Sequence, residues 1–259
     1  MRLHHVDHGG DEPTVVLLHA FPLDSSMFDR LVPLIDGRWR VVTIDLPGLG
    51  LSPVPVARPS TGLAAAGVLD VLDDLSIAEA VVLGISTGGY VALEIAARAP
   101  DRVSALVLGS TTPHRIEPDV PADRRQVADE VEHSRSSEPV AGSADEGLGA
   151  TAHQEQPGLA GQLRDTIAAA APDGIAWMAR AIAGRSDTAD VLATFSRPVL
   201  LVFGDEDTAT PPARGEEMLA LRDGLPARLV VLEGTGHLSP LERPREVADA
   251  LDGLLAQLR

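Results

Sequence analysis

A serine that lies between a strand and a helix, with glycines on both sides, is the feature that most constrains this chain. The apolar residues 80–83 predict a buried strand that ends at Gly84, and a helical pattern begins at about Gly88. A turn this sharp needs small residues around it, which Gly84, Gly88 and Gly89 supply. Ser86 is therefore predicted at the tip of the turn, where the N-terminus of a helix favours a developing negative charge.

Residues 84–88 follow the pattern G-x-S-x-G, which is typical of a nucleophile elbow when a strand precedes it and a helix follows. The alternative is an ordinary turn whose serine only caps the helix. A serine hydroxyl is a poor nucleophile at neutral pH unless a base, itself oriented by an acid, takes its proton. The rest of the chain must therefore supply a base and an acid.

Short apolar runs predict the other buried strands at residues 15–18, 40–44, 103–108, 199–203 and 229–232. Helical patterns alternate with the strands up to residue 111, an order typical of a parallel sheet with crossover helices. From residue 112 to residue 191 strand signals vanish, and helices are predicted at 159–171 and 172–183. We predict an α/β core from residues 1–111 and 192–259, with a helical cap (lid) insertion at 112–191.

Two shorter segments carry local predictions. Ser25 or Ser26 is predicted to cap a helix that runs to about Ile35. The polar stretch 136–149 is rich in glycine, serine and acidic residues, so we expect a mobile loop there.

The charge and composition exclude several classes of function. A formal net charge of −17 argues against nucleic acid or an anionic membrane as partner, which leaves a small molecule. The absence of cysteine excludes disulfides, thiolate metal sites and a cysteine nucleophile. Neither a Walker loop nor metal-ligand spacing of the histidines occurs, so we predict no cofactor and no metal. The N-terminus lacks the apolar run of a signal peptide, and we expect a cytoplasmic protein.

Polar residues that suit a base and an acid follow two later strands. Asp205 and Asp207 follow the strand at 199–203, and His237 lies on a glycine-flanked loop after the strand at 229–232. Because the carboxyl ends of parallel strands meet at one edge of a sheet, we expect these side chains to lie near Ser86. Their order along the chain is Ser, Asp, His.

At this point the chain resembles the α/β-hydrolase-fold enzymes, nearly from end to end. The segments that carry the resemblance are residues 19–22 (HAFP), 45–48 (DLPG), 84–89 (GISTGG), 204–207 (GDED) and 234–237 (GTGH). Within the fold, the chain is similar to small capped hydrolases, which include carboxylesterases, enol-lactone hydrolases, carbon–carbon bond hydrolases and cofactor-free haloperoxidases or perhydrolases. It departs from the family at Ala20, where glycine is usual, and at Leu49, where histidine is frequent.

The resemblance implies a role for five residues. Ser86 is the expected nucleophile, His237 the base, and Asp207, third after Gly204, the acid. The backbone N–H groups of Phe21 and Thr87 are expected to form the oxyanion hole.

The expected reaction is hydrolysis of a small or medium carboxylic ester or lactone through an acyl-enzyme on Ser86. Trp177, Met178 and Ile182 have helical spacing in the cap, and either line the substrate pocket or pack in the core. Two alternatives remain. The same triad serves carbon–carbon bond hydrolases and cofactor-free perhydrolases, and some members of the fold bind ligands without catalysis.

Overall fold

The strands form one mostly parallel sheet. The structure, a computed structural model, describes residues 1–115 and 119–258. Its strands are β1 (His5–Asp7), β2 (Val15–Leu18), β3 (Val41–Ile44), β4 (Ala80–Ile85), β5 (Val103–Gly109), β6 (Val199–Gly204) and β7 (Ala227–Leu232). They lie in the order β1-β3-β2-β4-β5-β6-β7, and among the described strands only β1 pairs antiparallel. The predicted α/β class, with a sheet flanked by helices, is confirmed.

Helices connect the strands. The α-helices among the described residues are α1 (Val32–Ile35), α2 (Thr61–Asp74), α3 (Thr87–Arg98), α4 (Asp119–Ser134), α5 (Ser143–Glu146), α6 (Ala150–Glu155), α7 (Leu159–Ala169), α8 (Pro172–Ala183), α9 (Ala189–Thr194), α10 (Pro212–Ala220), α11 (Ser239–Glu242) and α12 (Pro244–Leu255). Within the described ranges, none is long and apolar enough to cross a bilayer.

The centre of the sheet determines where functional groups meet. Every residue of β2, β3, β4 and β6 is buried, as expected for strands covered on both faces. The register pairs Leu18 with Gly84, and Ile85 with Gly109, so β2, β4 and β5 end at the same edge. Loops that leave these carboxyl ends therefore lie side by side.

The chain between β5 and β6 is helical. Its described residues, 110–115 and 119–198, contain α4 to α9 and no strand. Arg180 of α8 donates to Asp129 of α4 at 2.7 Å and also contacts Glu132. Gly174 of α8 lies so close to Gly48 that a Cβ atom would overlap the Gly48 carbonyl oxygen. The helical segment is therefore packed on the loop that follows β3, a placement compatible with the predicted insertion at 112–191.

Several local predictions differ from the structure. The predicted helix from Ser25 to Ile35 is divided into a 3-10 turn at Ser25–Phe28, which Asp24 caps, and the short α1. The predicted loop 136–149 contains a 3-10 turn at Glu138–Val140 and α5. The helix α4 and the edge strand β1 carry little apolar periodicity, and the sequence pattern did not reveal them.

Asp45 holds together the loops beside the edge where β2 and β3 end. It is 2% exposed, and its carboxylate accepts from the Ser25 N–H at 2.8 Å, from the Leu51 N–H at 2.9 Å and from His4 Nδ1 at 2.9 Å. Burial pushes the pKa of Asp45 upward, but the N–H groups of Leu51 and Ser25 outweigh burial and hold it below the usual range. Ionisation of Asp45 therefore stabilises the folded state.

We expect Asp45→Asn to lower the free energy of unfolding by about 1–3 kcal/mol at pH 7, because an amide leaves a buried N–H without its acceptor. Since folding depresses this pKa, the wild-type advantage is present above about pH 4, the unfolded value for aspartate, and is lost as pH falls through the folded value. Urea unfolding of both proteins between pH 3 and pH 7 measures this difference. The exposed Asp223→Asn is the control, and an equal loss in the two variants at pH 7 would contradict the role of Asp45.

Candidate active site

Ser86 lies at the junction of β4 and α3 in a strained backbone conformation. Its φ is 52° and its ψ is −111°, a region that residues other than glycine seldom adopt. The Ser86 side chain makes no capping hydrogen bond to α3. The turn is held instead by the Ser86 carbonyl oxygen, which accepts from the Gly89 N–H at 2.9 Å and from the Thr111 hydroxyl at 2.8 Å. The helix-capping alternative therefore does not describe this serine, which lines a cavity.

The glycines of this turn are required because neighbouring atoms approach too closely to leave room for a side chain. Gly84 and Gly88 do not have positive φ angles. A Cβ on Gly84 would overlap the Gly88 carbonyl, and a Cβ on Gly88 would overlap the Leu18 carbonyl of β2. A Cβ on Gly89 would collide with the Thr111 side chain. Small residues here let α3 pack directly on the ends of β2 and β4, which places the Ser86 tip beside the loop after β2.

His237 and Asp207 are hydrogen-bonded to each other. His237 Nδ1 lies 2.9 Å from Asp207 Oδ2, and the Asp207 side chain is fully buried. The other carboxylate oxygen accepts from the N–H groups of Ala209 at 2.9 Å and Thr210 at 2.8 Å. Because a carboxylate only accepts, Nδ1 carries the proton and Nε2 is left as the basic nitrogen.

The structure separates the two aspartates that follow β6. Asp205 is exposed, and its carboxylate accepts from the Thr235 N–H at 3.2 Å. It stabilises the loop after β7, whereas Asp207 orients the histidine.

Glu242 is a buried carboxylate that fixes the loop carrying His237. One oxygen accepts from the N–H groups of Gly149 at 2.9 Å and Gly236 at 2.8 Å, and the other accepts from the Leu238 N–H at 3.0 Å. Burial raises the pKa of Glu242 and the Asp207 charge adds to this, although the three N–H groups oppose it. The residues on both sides of His237 are thus tied to one side chain.

The same loop is joined to the helical segment between β5 and β6. The His237 N–H donates to the Gly147 carbonyl at 3.0 Å, and the Gly149 N–H binds Glu242. A Cβ on Gly236 would overlap the Gly149 backbone. The position of the histidine therefore depends on contacts with residues 147–149, inside the segment that the sequence predicts as a mobile loop.

The candidate oxyanion donors belong to two residues that line the same cavity as Ser86. Phe21 follows β2, and Thr87 begins α3. The first N–H groups of a helix have no acceptor inside it, which leaves that of Thr87 available.

His19 supports the loop that carries Phe21. It is fully buried, its Nε2 accepts from the Leu46 N–H at 2.8 Å, and its Nδ1 therefore donates to the Ala20 carbonyl at 3.0 Å. Burial lowers the pKa of His19, which keeps the ring neutral. Both ring nitrogens are used in this structural role.

Five of the predicted site residues line one cavity of about 120 Å³: Phe21, Ser86, Thr87, Ile182 and His237. Its lining residues are Phe21, Pro22, Leu23, Ser86, Thr87, Tyr90, Arg124, Ser143, Glu146, Gly147, Ile182, Ala209, His237 and Leu238. The helical segment and the core thus form it together.

Of the three predicted pocket residues in α8, only Ile182 lines this cavity. Trp177 and Met178 are corrections: Met178 is fully buried in the core, and the Trp177 indole N–H donates to the Ala57 carbonyl at 3.0 Å. Both side chains pack in the core, which is the second of the two roles that the sequence left open for them.

Sequence reasoning missed Tyr90 and Arg124, which also line the cavity. Tyr90 stands four residues after Ser86 on α3, so helical spacing alone places it on the same face. Arg124 lies on α4, whose weak apolar periodicity gave no signal for its position.

The family model described as the alpha/beta hydrolase fold matches residues 13–244. The chain belongs to the alpha/beta hydrolase fold family. This hydrolase is 33% identical over 241 residues to a pimeloyl-[acyl-carrier protein] methyl ester esterase of Neisseria meningitidis serogroup B, and the match covers 86% of this chain and 85% of that protein.

Solved structures of the same fold resemble this hydrolase over nearly its whole length. A thermophilic esterase from Thermogutta terrifontis, solved with malate bound, superposes with a TM-score of 0.92 at 30% identity, and covers 99% of this chain and 93% of that one. The enol-lactonase of Burkholderia xenovorans LB400 gives a TM-score of 0.87 at 26% identity, with 98% and 96% covered.

We expect Glu242→Gln to lower the free energy of unfolding by about 1–3 kcal/mol, because an amide NH₂ would face a buried N–H donor. Turnover should fall as well, since the loop that carries His237 loses its anchor. Urea denaturation and kcat measured on one ester test both effects. The control is Glu246→Gln, an exposed site on α12. Equal stability of the two variants would show that the hydrogen bonds to Glu242 contribute little.

Proposed function

We propose that the chain is a serine hydrolase that cleaves a small or medium carboxylic ester or lactone through an acyl-enzyme on Ser86. The observation that carries this proposal is the hydrogen bond from His237 Nδ1 to the buried Asp207, at the rim of a cavity that Ser86 also lines. The chain is an ester-hydrolysing enzyme of its family, in keeping with relatives named as esterases.

In the proposed first step, Ser86 Oγ attacks the ester carbonyl carbon while His237 Nε2 takes the hydroxyl proton. The imidazolium that forms is stabilised by the Asp207 carboxylate. The tetrahedral intermediate collapses when the C–O bond to the alcohol breaks, and His237 gives its proton to the leaving oxygen. Water, deprotonated by the same nitrogen, then attacks the acyl-enzyme and releases the acid and the free serine.

The negative charge of the tetrahedral intermediate needs donors that are in place before the reaction. The Thr87 N–H, at the N-terminus of α3, and the Phe21 N–H are the proposed donors. The twelve-residue helix adds the positive end of its dipole. Each donor of this kind contributes about 3 kcal/mol to the transition state.

The cavity supports a short acyl group. An apolar cavity of about 150 Å³ accommodates benzene, so a cavity of about 120 Å³ suits a short acyl group better than a long one. Apolar lining by Leu23, Ile182 and Leu238 fits an aliphatic chain. The relatives named as a methyl ester esterase and an enol-lactonase support esters and lactones as the substrate classes.

Hydrolysis of p-nitrophenyl acetate, butyrate and octanoate by wild type and Ser86→Ala tests this function. We expect the highest kcat/KM for acetate or butyrate, because the cavity is small, and a loss of about 10⁴-fold or more in the variant, as for other catalytic serines. Unchanged turnover in a folded Ser86→Ala protein would overturn the serine mechanism. Acetate with hydrogen peroxide, assayed in parallel, detects the perhydrolase alternative.

The orienting role of Asp207 has its own test. Asp207→Asn should lower kcat by about 10⁴-fold, since an amide favours the wrong histidine tautomer. Asp205→Asn, at the exposed aspartate two residues earlier, should keep kcat within about twofold, since the amide oxygen of asparagine can still accept from the Thr235 N–H. Comparable kcat values in the two variants would contradict the assignment of Asp207.

A further inference from the structure

Arg124 places a positive charge on the wall of the candidate substrate cavity. It lies on α4 and lines the cavity together with Ser86 and His237. Its guanidinium carbon is 5.4 Å from the centre of the Phe21 ring, so the ring holds the cation beside the candidate oxyanion loop.

Within the part of the chain that the structure describes, this arginine lacks an anionic partner. The chain contains 38 acidic and 21 basic residues, all of the latter arginine, so carboxylates outnumber cations. Within the described ranges, Arg124 nevertheless forms no ion pair, whereas Arg180 and Arg243 each bind a glutamate. A guanidinium offers a planar fork of donors that matches a carboxylate. In so acidic a chain, an arginine that faces the cavity unpaired is available to a ligand.

A second arginine lies behind the cavity wall. Arg185 is 5% exposed, its guanidinium carbon is 4.1 Å from the centre of the Tyr90 ring, and its Nη2 donates to the His114 carbonyl at 2.6 Å. Burial lowers the pKa of Arg185 and the charge of Arg124 also lowers it, whereas Tyr90 and Asp187 raise it. Arg124 packs on the Phe21 ring and Arg185 on the Tyr90 ring, and both rings line the cavity, so each guanidinium lies beside its wall.

The other charged residue of the described lining is Glu146, on α5. Its side chain is exposed to solvent and makes no ion pair with Arg124 within the described structure. Solvent screens an exposed carboxylate, whereas the buried charge of Arg185 is screened much less. The arginines that contact Phe21 and Tyr90 therefore supply positive charge beside the cavity, in spite of the net charge of the whole chain.

We propose that Arg124 binds a carboxylate of the substrate, so that the preferred esters carry a second, free carboxylate. This inference rests on the proposed function, because it names the substrate class of the Ser86 site. The small cavity limits such substrates to short chains, in which the guanidinium reaches the carboxylate while the ester carbonyl lies at Ser86.

Matched substrate pairs test this proposal. With the carboxylate on the acyl side, methyl hydrogen succinate and methyl hydrogen glutarate are compared with methyl 4-oxopentanoate and methyl 5-oxohexanoate, in which a methyl ketone replaces the acid. With the carboxylate on the alcohol side, 4-acetoxybutanoate is compared with 5-acetoxypentan-2-one. The measured quantity is the ratio of kcat/KM for the acid to that for its ketone, which cancels any common change in the catalytic machinery.

We expect a ratio above one for wild type on at least one side of the ester. Arg124→Gln should lower that ratio by about tenfold or more, the usual effect of losing a hydrogen bond to a charged group. Arg124→Lys keeps the positive charge but loses the planar fork of donors, so its ratio should lie between those of wild type and Arg124→Gln. The control is Arg125→Gln, at an exposed neighbour that does not line this cavity, and it should leave the ratio unchanged.

Turnover of p-nitrophenyl butyrate separates the two proposals. If wild type cleaves this neutral ester but shows no preference for the acids, or if Arg124→Gln keeps the preference, the carboxylate proposal is wrong and the esterase function stands. If folded wild type cleaves none of these esters, the proposed function fails and the carboxylate proposal fails with it. The circular dichroism spectrum of each variant establishes that the protein is folded.

Discussion

The backbone at Ser86 is the constraint on which the rest of the site depends. A φ of 52° at a non-glycine residue costs about 1–3 kcal/mol and persists only where the surroundings enforce it. Here the enforcing contacts are between backbone atoms: the Gly84 backbone lies against that of Gly88, and the Gly88 backbone lies against the Leu18 carbonyl of β2. Since β4 lies between β2 and β5, the strain is borne at the centre of the sheet, by a strand whose residues are all buried.

The predicted base is held by a different means. His237 lies on a loop near the sheet edge, after β7, whose residues are half exposed. A loop next to an exposed strand is held by fewer packing contacts, and three interactions fix it here. Asp207 accepts a hydrogen bond from the histidine ring, and Glu242 binds the N–H groups of the residues on both sides of the histidine. The Gly147 carbonyl accepts from the N–H of the histidine itself. Because Gly147 belongs to the helical segment between β5 and β6, movement of that segment would shift the base relative to the serine.

The sequence was informative where one local rule decides the structure. Buried apolar runs and glycine-flanked turns predicted β2 to β7 and placed Ser86, Asp207 and His237 at one edge of the sheet. The lining of the cavity was not predictable in the same way. Trp177 and Ile182 share the spacing of one helix, yet only the second faces the cavity, because the direction of α8 depends on its packing against Gly48 and α4. The position of Arg124 beside the cavity depends on contacts distant in sequence, and Glu242 combines local hydrogen bonds to Gly236 and Leu238 with a distant one to Gly149.

Covalent labelling tests the central claim, that Ser86 is an activated nucleophile, most directly. The protein is incubated with a fluorophosphonate, and its intact mass and peptide map are recorded beside those of Ser86→Ala and His237→Ala. The account predicts one phosphonyl group per wild-type chain, on the peptide that contains Ser86, slow labelling without the histidine, and no labelling without the serine. A protein that cleaves esters while Ser86 stays unmodified, or that is labelled elsewhere in Ser86→Ala, would contradict it.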